Sequence, residues 1–108
     1  MKRIFIWLDD ERTIPYQWLN IADDDIYFIK FTKPMDLILW FDTKAKEYDK
    51  IFISFDHDLG CDLTGYDVAN YIVEKGIEIA GFTVHSMNPV GAKNIIDLLT
   101  HYGYHKMI

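Results

Sequence analysis

Acidic residues stand where apolar runs stop. Ile4-Phe5-Ile6-Trp7-Leu8 ends at Asp9-Asp10, and Ile51-Phe52-Ile53-Ser54-Phe55 ends at Asp56-His57-Asp58. A further run closes at His85-Ser86, just before Asn88, Pro89 and Gly91. Carboxylates crowded together raise one another's pKa and need a counter-charge. A hard divalent cation supplies one, and oxygen donors favour Mg²⁺, Mn²⁺ or Ca²⁺. Asp9, Asp10, Asp56 and Asp58 are therefore the expected ligands, with Mg²⁺ or Mn²⁺ as the expected ion. The plainer alternative is that each acidic pair is solvated and caps a helix.

Histidine widens the chemistry. His85 directly follows an apolar run, so its side chain is expected near the same crevice as a general acid or base, since its pKa lies near operating pH. It could instead satisfy buried hydrogen bonds. It could also ligate the metal, moving the preference towards Mn²⁺, Fe²⁺ or Zn²⁺. His57, between Asp56 and Asp58, is a second catalytic candidate or is simply held by one of them, while Asp56 or Asp58 could position a water. Ser86, Asn88 and Gly91 surround a helix start, whose free N–H groups and dipole make a phosphate seat. Arg12 could clamp a phosphate or pair with Asp9, Asp10 or Glu11. His101 and His105 receive no role.

The elements that must position these residues alternate between strand and helix. Continuously apolar runs suit parallel strands covered on both faces. Strands are expected at 4–8, 26–31, 51–55 and 79–84. Lys30 among apolar neighbours marks the second as edge-like. Met35, Ile38, Phe41, Ala45 and Tyr48 recur at helical spacing, so a helix is expected from about Thr32–Pro34 to Tyr48. Thr64 with Asp67 reads as a capping box for a helix closing near Gly76. Asn88-Pro89 opens another, with Ala92, Ile95, Ile96 and Leu99 on its buried side. A short helix could occupy 15–19, and the tail from Tyr102 onward is either a short fifth strand or a coil. Such alternation with right-handed crossovers gives a parallel sheet with helices on both faces. The order 2-1-3-4 would bring strands one and three together, their ends about 5 Å apart. Ligands gather beyond the carboxyl ends of such strands.

Composition sets the outer bounds. At 108 residues, half of them hydrophobic and 16% aromatic, the chain suits one domain, 1–108, with a proper core. One cysteine, Cys61, excludes a disulfide framework and a Cys-rich zinc site. The net charge of −6 has the wrong sign for general binding to nucleic-acid backbone. No stretch approaches the roughly 20 apolar residues that span a bilayer, and no signal peptide is recognisable, so the expected location is the cytoplasm.

The chain resembles the receiver domains of two-component signalling: paired acids after the first strand, an aspartate (Asp56) after the third, and Gly65-Tyr66-Asp67-Val68 beyond it. More specifically, Leu8-Asp9-Asp10-Glu11-Arg12 with Pro15, Ser54 to Gly60, Thr64 to Asp67, and Val84 to Ala92 resemble the cyclic-phosphate-processing receiver-like family. That resemblance implies a flavodoxin-like fold and a metal-dependent phosphoesterase acting on cyclic phosphate ends of RNA or nucleotides. Its partner would be a small phosphorylated substrate or an RNA terminus. Two other readings stand beside it: a signalling receiver phosphorylated on Asp56, and a module that binds a nucleotide or protein without chemistry. A signalling receiver also carries a Lys at the end of a fifth strand. Here only Lys93, in a helix, and Lys106, with no strand-like run before it, follow the fourth strand. That departure favours the esterase.

Overall fold

The computed structural model describes residues 1–15 and 25–107. Four strands, β1 (Arg3–Leu8), β2 (Ile26–Phe31), β3 (Lys50–Phe55) and β4 (Gly81–Val84), form one sheet in the order β2-β1-β3-β4. All neighbours are parallel, with Leu8 level with both Phe31 and Phe55, and Phe55 level with Val84. This is the flavodoxin-like arrangement expected. β2 is an edge, as Lys30 suggested.

Alternate residues of a strand point to opposite faces. Ile4, Ile6 and Leu8 of β1, Ile51, Ile53 and Phe55 of β3, and Phe82 of β4 build the core from one face. Three helices supply the other half: α1 (Pro34–Thr43), α2 (Gly65–Lys75) and α3 (Pro89–His101). Leu37, Trp40 and Phe41 come from α1, Val68, Ala69 and Ile72 from α2, and Ile95 and Leu99 from α3. Side chains such as Ile6, Ile53 and Phe82 are wholly removed from solvent, each contributing about 1.5–3 kcal/mol. The opposite face carries a stack of Phe28, Phe5 and Phe52, with centroids 5.5 and 4.7 Å apart. Further along, towards the carboxyl ends, it carries Trp7 beside Ser54.

The caps follow the sequence. Thr64 accepts from the Asp67 N–H while the Asp67 carboxylate accepts from the Thr64 N–H at 2.6 Å, closing the box that opens α2. Gly76 ends that helix at φ 61°. The Asn88 carbonyl oxygen accepts from the Gly91 N–H, with Pro89 in the first turn of α3.

Three expectations change. The helix expected to reach Tyr48 stops at Thr43, and a 3₁₀ turn spans Ala45–Glu47. Thr43 is turned back on the chain, its hydroxyl donating to the Leu39 carbonyl. Of the expected stripe, Phe41 is buried and Ile38, Ala45 and Tyr48 pack partly buried against the core, while Met35 is exposed and Pro34, Leu37 and Trp40 are buried instead. The run Met35 to Phe41 is apolar almost throughout, so packing decides which of its residues go deepest. The tail makes a single bridge, Lys106 to Phe82, rather than a strand among the described residues. The short helix expected over 15–19 lies largely outside the described residues. Among those described, no helix is long and apolar enough to cross a membrane.

Candidate metal centre

The ladder of backbone hydrogen bonds runs one step beyond the strands. Asp9 N–H donates to the Phe31 carbonyl (3.1 Å), Asp56 N–H to that of Leu8 (2.9 Å), and His85 N–H to that of Phe55 (2.9 Å). The register therefore places Asp9, Asp56 and His85 in one row across β1, β3 and β4, on the face that also carries Trp7 and Ser54. One carboxylate oxygen from each aspartate and one ring nitrogen of His85 all lie within 4.8 Å of one another.

Asp9 is wholly buried. Its Oδ1 accepts from the N–H groups of Glu11 (2.8 Å) and Arg12 (2.9 Å). Its Oδ2 faces His85 Nε2 at 3.0 Å and Arg12 Nε at 3.5 Å. Burial pushes its pKa up, but the two backbone donors and His85 outweigh burial and hold it below the ordinary carboxylate value. Asp9 is thus a buried anion with its charge distributed over donors. Asp56 is 7% exposed. A Cβ at position 65 would run into its carbonyl oxygen, so only glycine lets α2 start this close to the Asp56 turn.

His85 lies between two fixed contacts. Ser54 Oγ sits 2.7 Å from Nδ1, and the Trp7 ring stacks on the imidazole at 3.7 Å and 5°. Trp7 Nε1 in turn donates to the Arg12 carbonyl, tying the loop after β1 to the same assembly. Burial lowers the His85 pKa, against the opposing pull of the Asp9 and Asp56 charges. The ring is therefore neutral at pH 7. Assigned from this network, the Ser54 hydroxyl donates to Nδ1 and Nε2–H donates to Asp9.

A cavity of about 380 Å³ opens over this row, lined by Asp9, Asp56, Asp10, Asp58, Glu11, Arg12, Gly60 and Met87. Of the four expected metal ligands, Asp9 and Asp56 belong to the close cluster with His85, while Asp10 and Asp58 stand on the cavity wall. Asp58 is exposed and accepts from His57 Nδ1 (2.8 Å) and Asn88 Nδ2 (3.4 Å). The His57 hydrogen bond is the main reason its pKa is lowered. His57 itself packs against Gly91, where a Cβ would collide with the imidazole. Ser86 Oγ accepts from the Asn88 N–H at 3.0 Å, and Asn88 caps α3. The residues expected to seat a phosphate are thus engaged in the turn, apart from Arg12, which lines the cavity.

Neither lysine after β4 joins the row. Lys93 pairs with Asp97 at 2.6 Å, and Lys106 is level with Phe82, three positions short of His85, about 10 Å along the strand.

Sequence reading missed Ser54 and Trp7. A signal existed: each stands two positions before an aspartate of the site, so a period of two puts it on the same face, and Ser54 is the hydroxyl in an otherwise apolar strand.

Two buried carboxylates and one imidazole form a donor set that suits a divalent cation. With Asp9 and Asp56 alone as protein ligands, Mg²⁺ fits. With His85 as a third donor, the preference would move towards Mn²⁺, Fe²⁺ or Zn²⁺. A family model described as "Cyclic-phosphate processing Receiver domain" matches residues 4–101. No curated protein and no solved structure matches the chain.

Proposed function

Since the chain belongs to the cyclic-phosphate processing receiver domain family, we propose that it is a divalent-metal-dependent phosphoesterase that opens cyclic phosphates on RNA ends or nucleotides. The observation that carries the proposal is the meeting of Asp9, Asp56 and His85 donor atoms within 4.8 Å under an open cavity. A bound cation would polarise a phosphoryl oxygen and lower the pKa of water. Asp9 and Asp56 would hold it, and Asp10 and Asp58 extend the negative rim.

Arg12, already 3.5 Å from Asp9, offers its remaining donors to the phosphoryl oxygens. With Asp9 and Asp56 engaged by a cation, the other tautomer of His85 would be favoured, Nδ1–H donating to Ser54 Oγ and Nε2 left to accept a proton. In that form His85 takes a proton from the attacking water. The imidazolium, stabilised by the two aspartates, returns it to the leaving 2′ or 3′ oxygen. Water adds to phosphorus, one P–O ester bond breaks, and no proton is left over.

The test is turnover of 2′,3′-cyclic nucleotides with Mg²⁺ or Mn²⁺. His85→Ala should lower it by about 10²-fold or more. No turnover by the wild-type protein, or the same rate in His85→Ala, removes the proposal. A second arrangement, with His85 as a direct ligand, is favoured by its nitrogen lying within the same 4.8 Å group. Mn²⁺ titration separates the two: His85→Ala keeps its Mn²⁺ affinity if the ring carries protons and loses it if the ring is a ligand. A phosphoryl group added to Asp56 by a small phosphodonor, read by intact mass, would instead support the signalling reading.

A further inference from the structure

A second cavity, of about 530 Å³, lies on the β2–α1 side of the first and shares Asp10 and Gly60 with it. Beyond that shared wall its character changes. Pro34 and Met35 from the start of α1 and Leu59 and Leu63 from the loop before α2 give it apolar sides. Resting on the phosphoesterase reading, we infer that this cavity holds the organic group esterified to the phosphate, a nucleoside in the cyclic-nucleotide case, and that Met35 sets which groups are accepted.

Three observations meet here. The cavity adjoins the metal-side cavity across Asp10 and Gly60, so a substrate whose phosphate lies over Asp9 and Asp56 has this space beside it for the rest of the molecule. Its volume falls within the 300–1,000 Å³ usual for small-molecule sites, and its lining has the usual mix of apolar sides and a few polar groups. Met35 is half-exposed beside it, left out of the core because α1 buries Leu37, Trp40 and Phe41 instead. An organic ligand in the cavity would cover this side chain, and the thioether adapts to varied shapes. Among the described residues none that lines this cavity is aromatic, so the selectivity inferred for Met35 is one of size.

Two methionines make the inference measurable, because Met87 lines the metal-side cavity and Met35 the apolar one. Met1, and Met107, which packs against Gly81, serve as controls. With ¹³C-methyl-labelled protein and Mg²⁺, inorganic phosphate should move the Met87 methyl signal alone. A 2′,3′-cyclic nucleotide should move both Met87 and Met35. A cyclic nucleotide that moves Met87 and leaves Met35 unchanged overturns this inference while sparing the phosphoesterase reading, and movement of neither overturns both. A Met35 shift that follows protein concentration without ligand assigns the cavity to a second copy of the chain, and the inference fails. Met35→Trp, which fills the cavity from an exposed position, should weaken cyclic-nucleotide binding about tenfold or more with phosphate binding unchanged, and Met35→Leu should restore it. Equal weakening of both probes would also overturn the inference.

Discussion

The Ser54 hydroxyl, 1% exposed, reaches His85 rather than solvent, and a buried hydrogen-bond partner on the far nitrogen is what fixes a metal-site histidine's tautomer and plane. Ser54→Ala leaves Nδ1 without that partner in a buried setting, at a cost of about 1–3 kcal/mol. Turnover of a 2′,3′-cyclic nucleotide should fall by about 10- to 100-fold, with Ser54→Thr recovering most of it, and divalent affinity should fall with it only where His85 is a ligand. Unchanged turnover in Ser54→Ala would mean that Trp7 stacking alone orients the ring. Asp9, Asp56 and His85 were legible from sequence because each ends an apolar run. Ser54 and Trp7 were not singled out, since they lie inside such runs and gain meaning only once strand register is known. Asp10 and Asp58 were equal in sequence to Asp9 and Asp56. The alternation of the strand separates Asp10 from Asp9, whereas Asp58 lies in the loop beyond β3 and is held by His57 and Asn88 on the rim.

Helix α2 shows how local sequence sets the site from behind. Its Thr64–Asp67 box fixes where the helix begins, and Gly65 lets that beginning press against the Asp56 carbonyl. Thr64→Ala should cost about 1 kcal/mol of stability and leave divalent binding nearly unchanged. Gly65→Ala should cost about 1–3 kcal/mol and also weaken Mn²⁺ binding, because relief of the clash must move Asp56. Denaturant unfolding read beside Mn²⁺ titration checks the pair, and equal binding in both variants would detach α2 from the site. The capping box of α2, the Asn88 cap of α3 and the four strands with their order were readable because turn chemistry and continuous apolar runs are local signals. The buried side of α1 was not, since nearly every residue from Met35 to Phe41 is apolar and only tertiary packing decides which of them go deepest. The tail was ambiguous for a related reason: one bridge to Phe82 needs no strand-like run to form.

At the scale of the whole chain, the C-terminal segment is anchored to the turn after α2 by Tyr104, whose hydroxyl donates to the Ile77 carbonyl at 2.7 Å. Burial raises its pKa above 10.0, and Glu78 adds to the effect. The folded value therefore exceeds the unfolded one, so this stabilisation is complete below pH 10.0 and is lost as pH rises through the folded value. Tyr104→Phe should lower stability at neutral pH by about 0.5–1.5 kcal/mol. It should also flatten the loss of stability above pH 10.0 seen in the unaltered protein. Urea unfolding on either side of that pH checks both effects, and an identical alkaline decline in the variant would assign the decline to other groups. The net charge of −6 works at the same level. It leaves the rim dependent on a cation for any approach by phosphate, which divalent loading would supply.

Because the three donors stand level with one another on adjoining strands, the sheet itself is their ruler. The spacing between backbones cannot be tightened to suit a smaller ion or relaxed for a larger one, as a loop could be. Only side-chain length remains adjustable. Lengthening Asp9 or Asp56 by a single methylene would thus retune ion choice more finely than any change in the surrounding loops.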